Sequence, residues 1–265
     1  MQLIDIGANL GHESFRHDLD AVIERAREAG VIQIVVTGAS EEESEAAWQI
    51  ALQRPGVLFA TAGVHPHLAR AWRGSTARRI RALAEKPQVV ALGETGLDFN
   101  RDFSPRPQQC DVFEAQLSIA ADLGLPVFMH ERDAHARFVE ILKHWRDQIS
   151  RGVIHCFTGS VEELDGYLDL DLHVGITGWI CDERRGHHLR DLVSRIPLER
   201  LMLETDSPYL LPRDLKPRPR TRRNEPMYLR HILETVADSA GLSAAALASA
   251  TTETARRFFD LPDMT

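Results

Sequence analysis

Only three cysteines occur in the 265-residue chain, Cys110, Cys156 and Cys181, and no two of them form a CxxC pair. An odd, scattered set excludes a disulfide scaffold and fits a reducing compartment, with buried thiols as the ordinary explanation. Long apolar runs are missing too, since none approaches the ~18 residues needed to cross a bilayer. The opening Met1-Gln2-Leu3-Ile4-Asp5 has no basic stretch followed by an apolar one. Neither a signal peptide nor a membrane partner is therefore expected, and the expectation is a soluble, cytoplasmic protein. Net positive charge is also lacking, with 39 acidic residues against 31 basic ones and a formal charge of −8. This speaks against a protein that coats long nucleic acid or anionic lipid, but not against a local basic site. No internal repeat is present, and no GxGxxG or GxxxxGK stretch follows a predicted strand, which weakens dinucleotide and nucleoside-triphosphate readings.

What is present is ordinary globular composition, 43% hydrophobic and 26% charged, enough for one large core. Eight short apolar or β-branched runs recur: Leu3 to Ile6, Ile32 to Thr37, Leu58 to Val64, Val89 to Leu92, Val127 to Met129, Val153 to Ile154, His173 to Ile176 and Leu201 to Leu203. Segments of helical periodicity follow them: Asp18 to Ala29, Glu41 to Leu52, Thr76 to Ala84, Gln108 to Leu123, Ala134 to Trp145, Val161 to Leu168, Gly186 to Ile196 and Pro226 to Ala240. Ser40 and Ser75 are read as N-caps, and Gly30 and Gly124 as helix stops.

Alternating strands and helices imply a parallel sheet, because each crossover must return over the sheet face. Units of about 33 residues match the ~30 of a βαβ unit. The fold class expected is α/β, a (β/α)8 TIM barrel formed by one domain over residues 1–265; a doubly wound open sheet is the competitor. Polar residues decide between them. Six of the eight runs end near Asp5 with Asn9, His65 with His67, Glu94, His130, His155, and Glu204 with Asp206. An open sheet would gather such groups from two or three strands at a switch point, whereas a barrel collects them from many strand ends.

Taken singly, each histidine is more simply a satisfied rim or core residue. As a set, strand-end imidazoles beside strand-end carboxylates point to a metal centre, with His130, His155 and Glu94 in it. His65-Pro66-His67 places two rings on one side of an extended segment, where they could meet a metal or a phosphate oxygen; a rigid surface turn is the plainer alternative. Asp206, in Glu-Thr-Asp-Ser-Pro, stands where a barrel hydrolase can hold an acid that touches metal and accepts a proton from water. Capping of the following turn is compatible with that.

Five ordered stretches then carry a resemblance: Gly63-Val64-His65-Pro66-His67, Gly93-Glu94-Thr95-Gly96-Leu97-Asp98, Pro126 to His130 with Arg132-Asp133-Ala134, His155-Cys156-Phe157-Thr158-Gly159, and Leu203 to Leu210. They resemble the successive signatures of the TatD-type metal-dependent deoxyribonucleases, from Met1 to about Phe259. Asp98 to Arg101, Gly178 to Arg185 and Arg222 to Pro226 are similar to the bacterial exonuclease branch of that family. The resemblance implies a hydrolase, a 3′-to-5′ exonuclease acting on single-stranded DNA or RNA with a free 3′ end, in DNA repair or nucleic-acid turnover. It implies Glu94, His130 and His155 as principal metal ligands, Asp206 completing the catalytic site with Glu94, and His65 and His67 holding substrate phosphate. The cofactor expected is a divalent metal, ranked Mg²⁺, then Mn²⁺, then Zn²⁺; histidine-rich ligation by itself would favour the last two. No obligate protein partner is implied, and a monomer is expected. In the wider family the first strand usually ends in Asp-x-His-x-His; here Gly7 and Asn9 stand at the two histidine positions, so the second, more buried metal site should be the weaker.

From Arg213 to Arg223 six basic side chains face one acid, on a proline-stiffened loop following the last strand. A solvated loop is the ordinary explanation of such a run, but its place after Asp206 suits a polyanion, with Arg222 and Arg223 as contacts and Arg132, Arg184 and Arg185 joining them. Phe99, Phe103, Phe157 or Trp179 could stack on a base. Two alternatives stay open: a metal-dependent hydrolase of small amide, ester or aminoacyl substrates, since activated water attacks carbonyl carbon equally well, and a non-catalytic metal-binding partner protein.

Overall fold

The structure, a computed structural model, describes residues 1–263. Its strands are β1 Leu3–Ala8, β2 Val31–Val36, β3 Leu58–Ala62, β4 Val89–Asp98, β5 Val127–Arg132, β6 Gly152–Ile154, β7 His173–Ile176 and β8 Leu201–Leu203. The helices are α1 Leu19–Glu28, α2 Glu41–Leu52, α3 Gly74–Ala84, α4 Arg106–Leu123, α5 His135–Trp145, α6 Val161–Asp169, α7 His187–Leu192, α8 Leu229–Ala240 and α9 Ala244–Phe259. The strands form one sheet in chain order, β1 to β8, and a parallel bridge from Ala8 to Ser207 links the end of β1 to the chain just past β8. This is a (β/α)8 TIM barrel and not an open doubly wound sheet, in which the order would reverse at a switch point. Among the described residues no helix is long and apolar enough to cross a membrane.

Two compact units make up the chain: Met1–Val35, Cys156–Val161 and everything from Val174 onward in the first, Val36–His155 and Glu162–His173 in the second. In the first, β7 and β8 run parallel with Ile176 opposite Leu203. Helix α9, a helix beyond the eight sequence-read units, packs against β1 and β8. Ser243 caps it by accepting from the Ala246 N–H, and its Thr252 hydroxyl donates to the Gln2 carbonyl. The region 187–195 is a short helix followed by a 3₁₀ turn rather than one long helix, and it ends where Pro197 holds Ile196 in extended backbone.

In the second unit, β3, β4, β5 and β6 pair in parallel. Strands β4 and β5 run further than their apolar runs suggest, to Asp98 and Arg132, so His130 lies within a strand and not just after one. The reason is glycine. Gly93 and Gly96 hold positive φ, and a Cβ on Gly96 would collide with the carbonyl oxygen of His130, so the two strands approach closely across an irregular register between Leu92 and Thr95. Ser40 caps α2 through the Glu43 N–H, and Gly124 ends α4 in the left-handed conformation. Ser75, expected to cap α3, lies inside it; the Thr76 hydroxyl takes the Arg73 N–H instead.

Candidate metal centre

In the second unit, β4, β5, the end of β6 and the turn after β3 bring three imidazoles to one carboxylate oxygen. Oε1 of Glu94 lies 2.9 Å from Nε2 of His155, 3.1 Å from Nδ1 of His130 and 3.2 Å from Nε2 of His65. Glu94 and His155 are buried, and the His155 ring packs 4.7 Å from the ring of Phe128. One oxygen cannot satisfy three ring nitrogens by ordinary hydrogen bonding alone, since it has two lone pairs. The donor set is instead what a cation in their midst would require, and the ligand atoms of His65, Glu94 and His130 all lie within 4.8 Å of one another.

Electrostatics agree with this. Burial pushes the His65 imidazole down to about 4, against the pull of Glu94, leaving it neutral and its lone pair available near neutral pH. Burial also penalises the Glu94 charge, but His155 and His65 around it hold its carboxyl well below the usual range. His130 is desolvated yet pushed up, by Asp98 on one side and Glu94 on the other. Two buried carboxylates shared by a cluster of imidazoles leave negative charge for a divalent ion to balance.

Asp98 carries no role in the sequence reading. Its Oδ2 lies 2.7 Å from Nε2 of His67 and 3.3 Å from Nε2 of His130, while its Oδ1 accepts from the backbone N–H groups of Asn100 and Arg101. The signal available was its spacing four residues after Glu94, at which an extended chain returns to the same face. His65 and His67 do come together, with ring centroids 4.2 Å apart, though only His65 is in extended backbone and His67 lies in a 3₁₀ turn. His65 caps a 3₁₀ turn over Pro66–Ala71, its Nδ1 accepting the His67 N–H.

The first unit holds a separate carboxylate group. Asp5 is fully buried; it accepts from the N–H groups of Gly7 and Thr205 and from the Thr205 hydroxyl, and burial pushes it up to about 7. Asp206, in left-handed backbone, donates its N–H to the Gly7 carbonyl, and its Oδ1 accepts from Nδ2 of Asn9 at 2.9 Å. Gly7 and Asn9, at the two unusual positions of the first strand, thus hold Asp206. Glu204 accepts the Cys156 N–H at 2.5 Å.

The basic loop divides. Arg218, Arg220 and Arg222 are exposed. Arg223 is tied down by Asp18 and Glu225, both at 2.7 Å, and by the ring of Phe15. Arg184 and Arg185 pair with Asp182, and Arg185 also covers the Trp179 ring. Arg132 is exposed at the end of β5. Phe157 is buried and offers no ring to a base, whereas Phe103 is 54% exposed.

The sequence from residue 4 to 260 matches the family described as TatD related DNase. The chain belongs to that family. A protein of Erwinia tasmaniensis named 3′-5′ ssDNA/RNA exonuclease TatD is 54% identical over 259 residues, covering 98% of this chain and all of that one. A protein of the same name from Yersinia pseudotuberculosis is 52% identical over the same shares. Among solved structures, a hydrolase TatD family protein from Entamoeba histolytica superposes with a TM-score of 0.89 at 26% identity, over 99% of both chains. The TatD homologue YjjV of Escherichia coli gives 0.88 at 26% identity over 98% of both. Family and fold imply a divalent metal, and the Glu94 cluster is a ligand group suited to one.

Proposed function

We propose that this TatD-family protein is a metal-dependent 3′-to-5′ exonuclease that hydrolyses phosphodiester bonds of single-stranded DNA and RNA. The convergence of His65, His130 and His155 on one Glu94 oxygen is the observation that carries the reading. Full-length relatives above 50% identity bearing the exonuclease name support it. Glu94, His130 and His155 would hold the ion, with His65 joining them rather than serving only substrate phosphate. Mg²⁺ is the ion we assign, ahead of Mn²⁺ and Zn²⁺. When bound, it supplies Lewis acidity toward the phosphate and toward water.

The chain's own groups do the rest. Asp206, its carboxylate oriented by Asn9 and its backbone by Gly7, is the proton acceptor for the attacking water. His67, fixed by Asp98, and the exposed Arg132 and Arg222 neutralise and orient the phosphate chain; the ties on Arg223 assign it to positioning the loop. A free 3′ end is the substrate, the acting form is the monomer, and three cysteines outside any disulfide suit a cytoplasmic setting in which nucleic-acid ends are repaired or turned over.

The test is timed degradation of 5′-labelled single strands against a series of metals, with Glu94→Ala as control and cyclic amides as the competing substrate class. A ladder shortening from the 3′ end, dependent on metal and lost in the variant, is the expected result. Turnover of amides without oligonucleotide cleavage would overturn the reading.

A further inference from the structure

Away from the Glu94 cluster, a second group of ligand-type side chains comes from three elements of the first unit. Cys181 ends the 3₁₀ turn Gly178–Cys181 that follows β7, Asp214 is the second residue of the basic loop, and His231 lies in the first turn of α8. Their sulfur, oxygen and nitrogen atoms all lie within 4.8 Å of one another, with Nε2 of His231 2.7 Å from Oδ1 of Asp214. We propose that Cys181, Asp214 and His231 form a second divalent-metal site, for a thiophilic ion of the Zn²⁺ class, that fastens the basic loop to helix α8.

The ligand groups are brought together by contacts of their own. Asp214 uses Oδ2 toward Arg190, 3.7 Å away, and Oδ1 toward His231. The Cys181 thiol donates to the Thr235 hydroxyl at 3.4 Å, and Thr235 lies one turn after His231, so both face the same side of α8. One sulfur, one nitrogen and one oxygen ligand make a three-residue set with a fourth position for water or the Thr235 hydroxyl. Thiolate ligation selects Zn²⁺ or Co²⁺ over Mg²⁺, which prefers oxygen ligands. The Glu94 cluster, built of imidazole and carboxylate, offers no thiolate.

Binding exchanges the S–H bond for a sulfur–metal bond and releases one proton to solvent. The consequence falls on the loop: with Asp214 held to α8, the exposed Arg218, Arg220 and Arg222 that follow it are restrained at their base.

The full-length protein, stripped by chelator and titrated with Co²⁺, tests the site directly. A near-ultraviolet thiolate-to-cobalt charge-transfer band is expected, complete by two equivalents because the Glu94 cluster takes an ion as well, retained in Cys156→Ser and lost in Cys181→Ser, with His231→Gln weakening it at least about tenfold. Absence of the band, or its survival in a folded Cys181→Ser variant, would overturn the site. Asp214→Asn, on the loop, supplies a second measurement: Zn²⁺ should slow trypsin cleavage after Arg220 and Arg222 in the wild type and not in this variant. Equal cleavage of the wild type with and without Zn²⁺ would overturn the tether.

Discussion

Oδ2 of Asp98 lies 2.7 Å from Nε2 of His67, and the same oxygen is 3.3 Å from Nε2 of His130. One carboxylate therefore orients His67 and, with it, His130, one of the rings around Glu94. Partners of this kind fix the tautomer and direction of a ligand histidine, and losing one typically lowers metal affinity or activity ~10–100-fold. Asp98→Asn should do the same here, with metal affinity falling and activity partly regained at high metal concentration. Activity unchanged at low metal would show that Asp98 orients nothing that matters to the reaction.

His65 and His67 are neighbours in sequence but have different partners, Glu94 for the first and Asp98 for the second. His65→Ala should therefore raise the metal concentration needed for half-maximal activity by at least about tenfold, while the KM for oligonucleotide at saturating metal stays near wild type. His67→Ala should raise that KM instead. The opposite pattern would return His65 to the phosphate.

Much of the fold is legible in the sequence. Periodicity marks eight strands and their helices because each strand is a short buried run and each helix shows one apolar stripe. The second half of β4 stayed hidden because Gly93 and Gly96 interrupt the apolar pattern; their function, close approach to β5, exists only once β5 is in register. Asp98 was hidden with it. Asn9 looked like a lost ligand, since its contact to Asp206 spans 197 residues and leaves no local trace. Arg222 and Arg223 are equivalent in composition, and only the packing of Asp18, Glu225 and Phe15 around the second separates them.

That separation is measurable. Arg222→Ala should leave thermal stability unchanged, and Arg220→Ala with Arg222→Ala should reduce the salt slope of single-strand binding by about 0.7 for each phosphate contact removed. Arg223→Ala should lower stability by about 1 kcal/mol, a modest figure because Asp18 is partly exposed, or ~2–4 °C in Tm. The pH dependence has a definite sign. Hydrogen bonding and charge from Arg223 hold the Asp18 carboxyl below its ordinary 3.8, so the pair stabilises the folded state above that value. The contribution is lost as pH falls through the folded value. The stability gap between wild type and Arg223→Ala should then narrow below about pH 4. A gap constant from neutral to acid pH would rule out the Asp18 pair as its source.

Phe103 is an exposed ring beside His67, its centroid 4.8 Å from that of His67 in an edge-on arrangement. That orientation leaves ring surface open to solvent beside the proposed phosphate contact, where a terminal base would lie. Stacking of one base on one aromatic ring contributes ~1–3 kcal/mol, so Phe103→Ala should weaken binding of a short single strand about 5- to 150-fold. Because every base has a face to stack, the loss should be similar for purine and pyrimidine ends, and Phe103→Trp should restore binding. A dissociation constant unmoved by Phe103→Ala, measured at fixed salt with metal present, would leave the strand end held by its phosphates alone.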